Sequence, residues 1–470
     1  MPSISMIGVA PGLANIIQDG TIERLMHETL VSETLYRMGV QDEIWQAKQG
    51  EILNMVRSGL LPVDIDPLTP GVDPANAEFA KETWQAQLFS YGNTVQHYLP
   101  NDYVANVPEF TNKVTRVAIN AGEKIDRIVR ARLFRAYLGG NGITTALAAI
   151  GAPRIHVASG NGFTQLNDVN GLPVAVSATN SVPITFGGAE PANTVTAFTP
   201  DDPADTLGMG PCWLTLGAVL TAGVAAREAV LAVNRSRMII AGGTNSIDGI
   251  GAADTLTRAT LSSATTLLRA SPTVPTIEAG AYHCHLSPYA EDQLLTDLAA
   301  QRLIQDVKTP SEYADYRLGK LAGAMLYRNA RSPDANNTGT LTSSGAGLSF
   351  VSPEIGGEVT NNAGIQIGYT IVLGQGAILE KYVPPMAPQA MLPPGTEIAT
   401  QNSNVVATSG GVTLNTDRIK MIFRPPIDVM NEMMNISWNM KADWPVPSDI
   451  TAGTPRFRRA IVIAHAIPLQ

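Results

Sequence analysis

The chain has 470 residues, 44% of them hydrophobic and 16% charged, and a formal net charge of −9. That length supports two or more domains with substantial cores, and the acidic balance excludes the basic footprint of a dedicated nucleic-acid binder. So low a charge fraction suits a surface covered by partners, since interface cores are depleted in charge, although a Gly- and Ala-rich enzyme of ordinary solubility has the same composition.

In chain order, residues 21–38 place Leu25, Met26, Leu30, Leu35 and Met38 at helical spacing, which predicts an arm helix. No Lys or Arg precedes Arg24, so this end does not read as a secretory signal, and no apolar run reaches the roughly 18–20 residues of a membrane span. The chain reads as soluble and cytoplasmic when made. A strand-like run at Gln49–Leu60 leads to a Pro/Gly tip, Asp66–Pro74, where Pro67, Pro70, Gly71 and Pro74 forbid regular pairing. The return run is Lys81–Gly92, in which Trp84, Ala86 and Leu88 alternate with Gln85 and Gln87. An isolated hairpin of this length is marginally stable in water, so its apolar side chains are expected to lie on something else, foremost a neighbouring copy of the chain.

The next segment, Glu109–Leu138, predicts one long amphipathic helix. Phe110, Val114, Val117, Ala118, Ala121, Ile125, Ile128, Val129, Leu133 and Ala136 recur in steps of three and four. Its polar face carries Lys113, Arg116, Lys124, Arg127, Arg130, Arg132 and Arg135 against Glu109, Glu123 and Asp126. This locally basic face reads as solvated, with intrahelical pairs such as Glu123–Arg127, or as a contact for acidic neighbours or packaged DNA phosphates.

Gly139, Gly140 and Gly142 stop the helix, and residues 143–210 read as a small β-rich insertion with strands at Arg154–Val157, Pro173–Val176 and Val182–Phe186. Helical patterns follow at Leu214–Val233 and Ala252–Ala270, then a strand at Ala281–Ser287 and a helix at Pro288–Ile304, with Pro288 suited to a first turn. The last third alternates β runs and turns: Leu321–Ala330, Ile365–Gly374, Asp417–Pro426 and Arg456–Ile467, the last apolar enough for a fully buried central strand.

Few residues suggest chemistry. Cys212 and Cys284 stand far apart without a CxxC partner, which favours a reducing folding compartment and two small buried hydrophobes. In the run His283-Cys284-His285 a strand puts both histidines on one face, so at most two groups could reach one ion, short of a zinc set; two half-buried histidines is the better reading. Gly249-Ile250-Gly251 lacks the third glycine of a dinucleotide loop, since Asp254 stands there, and the Glu291-Asp292 pair complements a helix start. No nucleophile–base constellation is present, and no cofactor, metal or catalytic residue is assigned.

The order of parts resembles tailed-bacteriophage major capsid proteins of the Hong Kong 97 fold, and among them the podovirus-type major capsid family. The matching pieces are GEILNMVR before the PLTPGVDP tip, FSYGNTV, the helix with Lys124-Ile125-Asp126-Arg127, the stretch from LTRATLSS to YHCHLSP, GKLAGAMLYRNAR, IGYTIVLGQGA and RFRRAIVIAHA. The resemblance implies an α+β chain, not an enzyme, with an N-terminal arm (1–45), an extended β-hairpin loop (46–100) lying over an adjacent subunit, and a peripheral domain (101–288). The spine helix 109–138 and the insertion at about 143–210 belong to that domain. Residues 289–440 would be mostly axial domain, and 441–470 would return a strand to the peripheral domain. It implies intersubunit contacts at Arg57, Pro67, Leu68, Gly71, Val72, Pro74, Trp84, Leu88 and Tyr91, and a basic spine face at Arg116, Lys124, Arg127 and Arg130. The implied function is a virion shell of hexamers and pentamers around double-stranded DNA, assembled in the host bacterial cytoplasm, with scaffolding, portal and cement or decoration proteins as further partners and no membrane. No cross-linking Lys–Asn pair is identified, so a non-covalent shell is expected. An encapsulin-type compartment or a tail or sheath component is the alternative.

Overall fold

A computed structural model describes residues 35–45, 50–58, 81–98, 100, 109–167, 173–233, 235, 238–244, 246–270, 274–278, 280–297, 317–343, 349–383, 405–408, 411–416, 419–424, 432–447 and 459–467. The expected helix at 21–38 and the tip at 66–74 lie outside these residues, apart from a 3-10 turn at Tyr36–Gly39. The fold is α+β, with two large sheets sharing one long helix and a small barrel inserted behind it.

The helix spans Glu109–Leu138, as its periodicity predicts. Its apolar stripe from Phe110 through Val114, Ala121, Ile125 and Val129 to Leu133 is buried in one core cluster, and Phe134 and Tyr137 join it. The helix ends at Gly139, where Asn141 Nδ2 donates to the Leu138 carbonyl at 3.1 Å and Asn161 Nδ2 to that of Arg135 at 2.9 Å. These bonds satisfy carbonyls that a helix end leaves without partners.

One sheet contains Gln41–Ile44, Leu379–Tyr382, Met433–Asp443, Ile419–Arg424, Gly411–Thr416 and Val405–Thr408, with Phe89–Tyr98 along the other side of Met433–Asp443. The long helix lies on it through Met421, Met434, Ile436 and Trp438.

The second sheet has Arg317–Leu321, Ala324–Arg328, Tyr282–Leu286, Gln366–Leu373 and, toward its other edge, Gly357–Thr360 and the short strands before it. The strand Ala460–Ile467 pairs antiparallel with Gln366–Leu373 and parallel with Met238–Ile240. Its eight residues are all buried, because both faces are covered. Ala460, Val462, Ala464 and Ala466 face the long helix, whereas Ile461 and Ile463 join the cluster under two shorter helices, Arg258–Ala270 and Pro288–Thr296. Ser287 caps the second of these, its hydroxyl accepting the Ala290 N–H, with Pro288 in the first turn. The same double cover corrects one expectation: His283 and His285 are fully buried, not half-buried. Burial, with a smaller contribution from His283, lowers His285 to about 3, so its ring is neutral.

Strands 419–443 thus sit with Phe89–Tyr98, and 460–467 with 282–373, so the sheets cross the expected limits at 288 and 440.

The insertion is an antiparallel barrel ordered Asn141–Ile143, Ala229–Ala232, Val182–Phe186, Asn193–Pro200, Cys212–Leu216, Arg154–Val157. The bridge between Thr144 and Val157 and the bond from Ala158 N to Ile143 O, 2.8 Å, close it. It ends at Ala232, well past 210. The helix expected over Leu214–Val233 is absent: Cys212, Leu214 and Leu216 point inward while Trp213 and Thr215 do not. Cross-strand pairing overrides the helix propensity of this Ala-rich run. The helix expected from Ala252 begins at Arg258, after a turn closed by mutual bonds between Thr257 and Thr260. Both cysteines are buried and free, and burial raises Cys212 to about 12.

The N-terminal side is tied to the long helix at Asp126, whose buried Oδ1 accepts the Tyr36 N–H at 2.8 Å. Burial lifts its carboxyl to about 6, opposed by that bond and by Arg331 and Arg130. The folded state then holds this proton more tightly than the unfolded one, so ionising Asp126 subtracts stability as pH rises from about 4 to about 6. Asp126→Asn keeps an acceptor for Tyr36 and removes the titration. Its melting temperature relative to the parent is expected to climb between pH 4.5 and 7 in a fluorimetric series; a constant offset would contradict the assignment.

Candidate assembly surface

The hairpin Ile52–Ser58 with Lys81–Gln87 forms its own two-stranded sheet, in register from Ile52 opposite Gln87 to Ser58 opposite Lys81. After Leu88 the return strand continues as Phe89–Tyr98 in the sheet beneath the long helix. The Leu88 N–H bonds the Glu51 carbonyl at 2.9 Å, and the Gln87 N–H bonds Asp443 Oδ2 at 2.9 Å, so the break in the strand is a fixed root. The hairpin is an extension of a core strand.

Opposed residues in an antiparallel pair share a face. Leu53 with Ala86 and Met55 with Trp84 form the inner face, where Trp84 is only 5% exposed within the single chain. The other face carries Ile52 and Val56, which are 52% and 59% exposed. Trp84 therefore spends its apolar area inside its own subunit, and the apolar surface left for a partner lies on the preceding strand. The run Ile52-Leu53-Asn54-Met55-Val56 is apolar on both faces, so alternation alone did not single out Ile52 and Val56.

The other expected contact residues divide in three. Leu88 is half-buried at the root, and Tyr91 is also half-buried, its ring 5.5 Å from that of Trp444. Burial raises the Tyr91 hydroxyl above its ordinary value. Arg57 sits in the Ile52–Ser58 strand opposite Glu82. Pro67, Leu68, Gly71, Val72 and Pro74 lie outside the described residues.

Part of the basic face of the helix matches the solvated, intrahelically paired reading, with Lys113 on Glu109 at 2.7 Å and Arg127 exposed, but its middle is engaged by neighbouring loops and Arg130 is buried. Glu354, in the turn after Phe350–Ser352, takes Arg130 Nη2 at 2.5 Å and Arg127 Nη2 at 2.7 Å, and its carbonyl accepts Arg135 Nε at 2.7 Å. Arg130 is buried and also donates to the carbonyls of Arg331, 2.7 Å, and Asn337, 2.9 Å. Lys124 Nζ donates to the Gly92 carbonyl at 2.8 Å and lies 5.5 Å from the Trp438 ring centre. Glu123 pairs with Arg331, not with Arg127. The 331–337 and 353–356 loops fold over this flank, which the periodicity of the helix alone could not announce. Arg116 is the exposed member of the predicted basic set that keeps clear of these loops.

Among the described residues no three His, Cys, Asp or Glu side chains cluster to hold an ion. No helix among them is long and apolar enough to cross a membrane.

No family model and no curated protein sequence matches the chain. Solved structures do. The capsid asymmetric unit of cyanophage Pam1 superposes with a TM-score of 0.51 at 10% identity, covering 94% of this chain and 93% of that one. The chain has a tailed-phage capsid protein fold. The capsid of Ralstonia phage GP4 aligns at TM-score 0.45 and 14% identity over 93% and 92%, and the head of Helicobacter pylori bacteriophage KHP40 at 0.45 and 8% over 90% and 88%.

The Glu354 cluster inside this capsid fold is open to a direct check. Removing one member of a buried, hydrogen-bonded ion pair costs about 3 kcal/mol, chiefly by stranding the other charge. Glu354→Gln is expected to lower the denaturation midpoint accordingly, and Arg130→Met with Glu354→Gln to recover at least half of the loss. A single variant as stable as the parent would contradict the network.

Proposed function

We propose that the chain is the major structural subunit of a tailed-phage head. Copies associate as hexamers and pentamers of an icosahedral, non-covalent shell around double-stranded DNA, and the protein has no catalytic role. The observation that carries this reading is the rooted hairpin with Ile52 and Val56 exposed on one face, either side of Asn54. A strand that projects from a core sheet and keeps two large apolar side chains uncovered gains by laying them on a neighbour, at roughly 25 cal/mol per Å2 of apolar area removed from water. Repeated around closed rings, contacts that are individually weak add up to a stable shell. The net charge of −9 suits a container that holds DNA without adhering to it. Contacts of the spine helix with DNA phosphates are not part of the proposal, since Lys124, Arg127 and Arg130 already serve their own subunit. Scaffolding, portal and decoration proteins are the partners that such a head requires, and the virion is its destination.

The test is electron microscopy of the purified protein, negatively stained. Icosahedral shells are expected from the parent chain. Ile52→Asp combined with Val56→Asp should leave soluble subunits with the parent's circular dichroism and no shells. Shells of normal size from the double variant would remove the hairpin from the assembly, and tubes from the parent would favour a tail or sheath component.

A further inference from the structure

The barrel is joined to the rest of the chain by two connections. The chain enters through Gly139 and Gly140 and leaves past Ala232 toward Arg235. Gly140 has φ +79°, and a Cβ there would press on Arg235 and Ala232, so the two connections touch. The bonds of Asn161 to Gly140 and Arg135, and of Ser159 and Asn161 to Gly356, lie beside this joint. A unit held at one joint turns about it unless a second point fixes it.

That second point is Arg227, just before the strand Ala229–Ala232, its N–H bonded to the Thr144 carbonyl past the end of the strand that starts at Asn141. It is one of two non-glycine residues with positive φ among those described, at 66°. Such a backbone is disfavoured for a residue with a Cβ and persists where the surroundings demand it. Its Nε and Nη2 fork onto Asp248 Oδ2 and Oδ1 at 2.7 and 2.5 Å, and its Nη1 and Nη2 reach Glu358 Oε1 and Oε2 at 3.3 Å each. The body holds both acceptors on its own: Asn362 N–H bonds Asp248, and the Ser349 hydroxyl bonds Glu358, each at 2.9 Å. Arg227 is therefore a plug and the two carboxylates a prepared socket. Between barrel and body lies an open cleft of about 660 Å3, walled by Ile143, Phe186 and Leu231 on one side and Met238, Ile240 and Leu267 on the other. Phe186 and Leu231 stand only partly buried on this cleft, which leaves them room to shift, whereas Ile143 near the joint packs into the core cluster of the body.

We propose that the barrel is a hinged unit with a locked and an unlocked orientation, and that Arg227 seated on Asp248 and Glu358 is the lock. The positive φ is kept because it aims the guanidinium at both carboxylates.

The experiment uses the full-length, unassembled chain with spin labels at Ala192→Cys in the barrel and Thr266→Cys on the Arg258–Ala270 helix, both exposed positions. Pulsed EPR reads the barrel's orientation as a distance distribution. Arg227→Gly removes the fork and suits the backbone, and is expected to widen the distribution roughly twofold or add a second distance. Hydrogen exchange in Val182–Phe186 and Cys212–Leu216 should stay as slow as in the parent. Asp248→Asn, which leaves an acceptor for Asn362, should act in the same direction and less. An unchanged distribution in the glycine variant would overturn the lock. Faster exchange in the barrel strands would also overturn it, by making Arg227 a requirement for folding and not for orientation.

Discussion

Everything in this fold leans on the burial of one helix face against two sheets. Thirty residues of helix run roughly 45 Å, long enough to lie across both Met433–Asp443 and Ala460–Ile467 in a single core cluster. Two sheets that share a helix cannot shift independently. The cost falls on the helix flanks, where loops from the second sheet close over cations that would otherwise be solvated. Glu354 answers that cost by meeting Arg127 and Arg130 together. A buried charge without a partner is far more damaging than an exposed one, so the network follows from the packing.

The hairpin shows the same logic at the periphery. Its root is nailed by Leu88, Gln87 and Asp443, while Ile52 and Val56 stay exposed on its outer face. A rigid root with an unfinished surface suits association, because little ordering remains to be done when a partner arrives.

The elements most legible in the sequence are those whose pattern matches one environment over many residues. The stripe from Phe110 to Ala136 announces a helix because ten positions agree, and the apolar run after Arg459, broken only by His465, announces a strand covered on both sides. Leu214–Val233 misled because Ala-rich segments satisfy helix propensity while the barrel's closure, a long-range pairing, leaves no local trace. Arg130 looked solvated because its partner stands more than two hundred residues away. Trp84 drew attention by size, although the face it shares with Met55 is the covered one. The exposed face was written in the smaller Ile52 and Val56, which any buried strand could carry. In each miss, the deciding contact was distant in the chain.

The strand Ala460–Ile467 has a consequence for how the protein is made. It lies between Gln366–Leu373 and Met238–Ile240, so the place between these two strands stays vacant until the ribosome has delivered residues beyond 459. Pairing across such distances along the chain is slow, and an open sheet of this kind is prone to wrong partners while it waits. Nascent chains still short of that strand also leave the core under the two shorter helices without Ile461 and Ile463. Synthesis and completion of the fold are thereby kept in sequence, with the late strand acting as a timing signal written into topology.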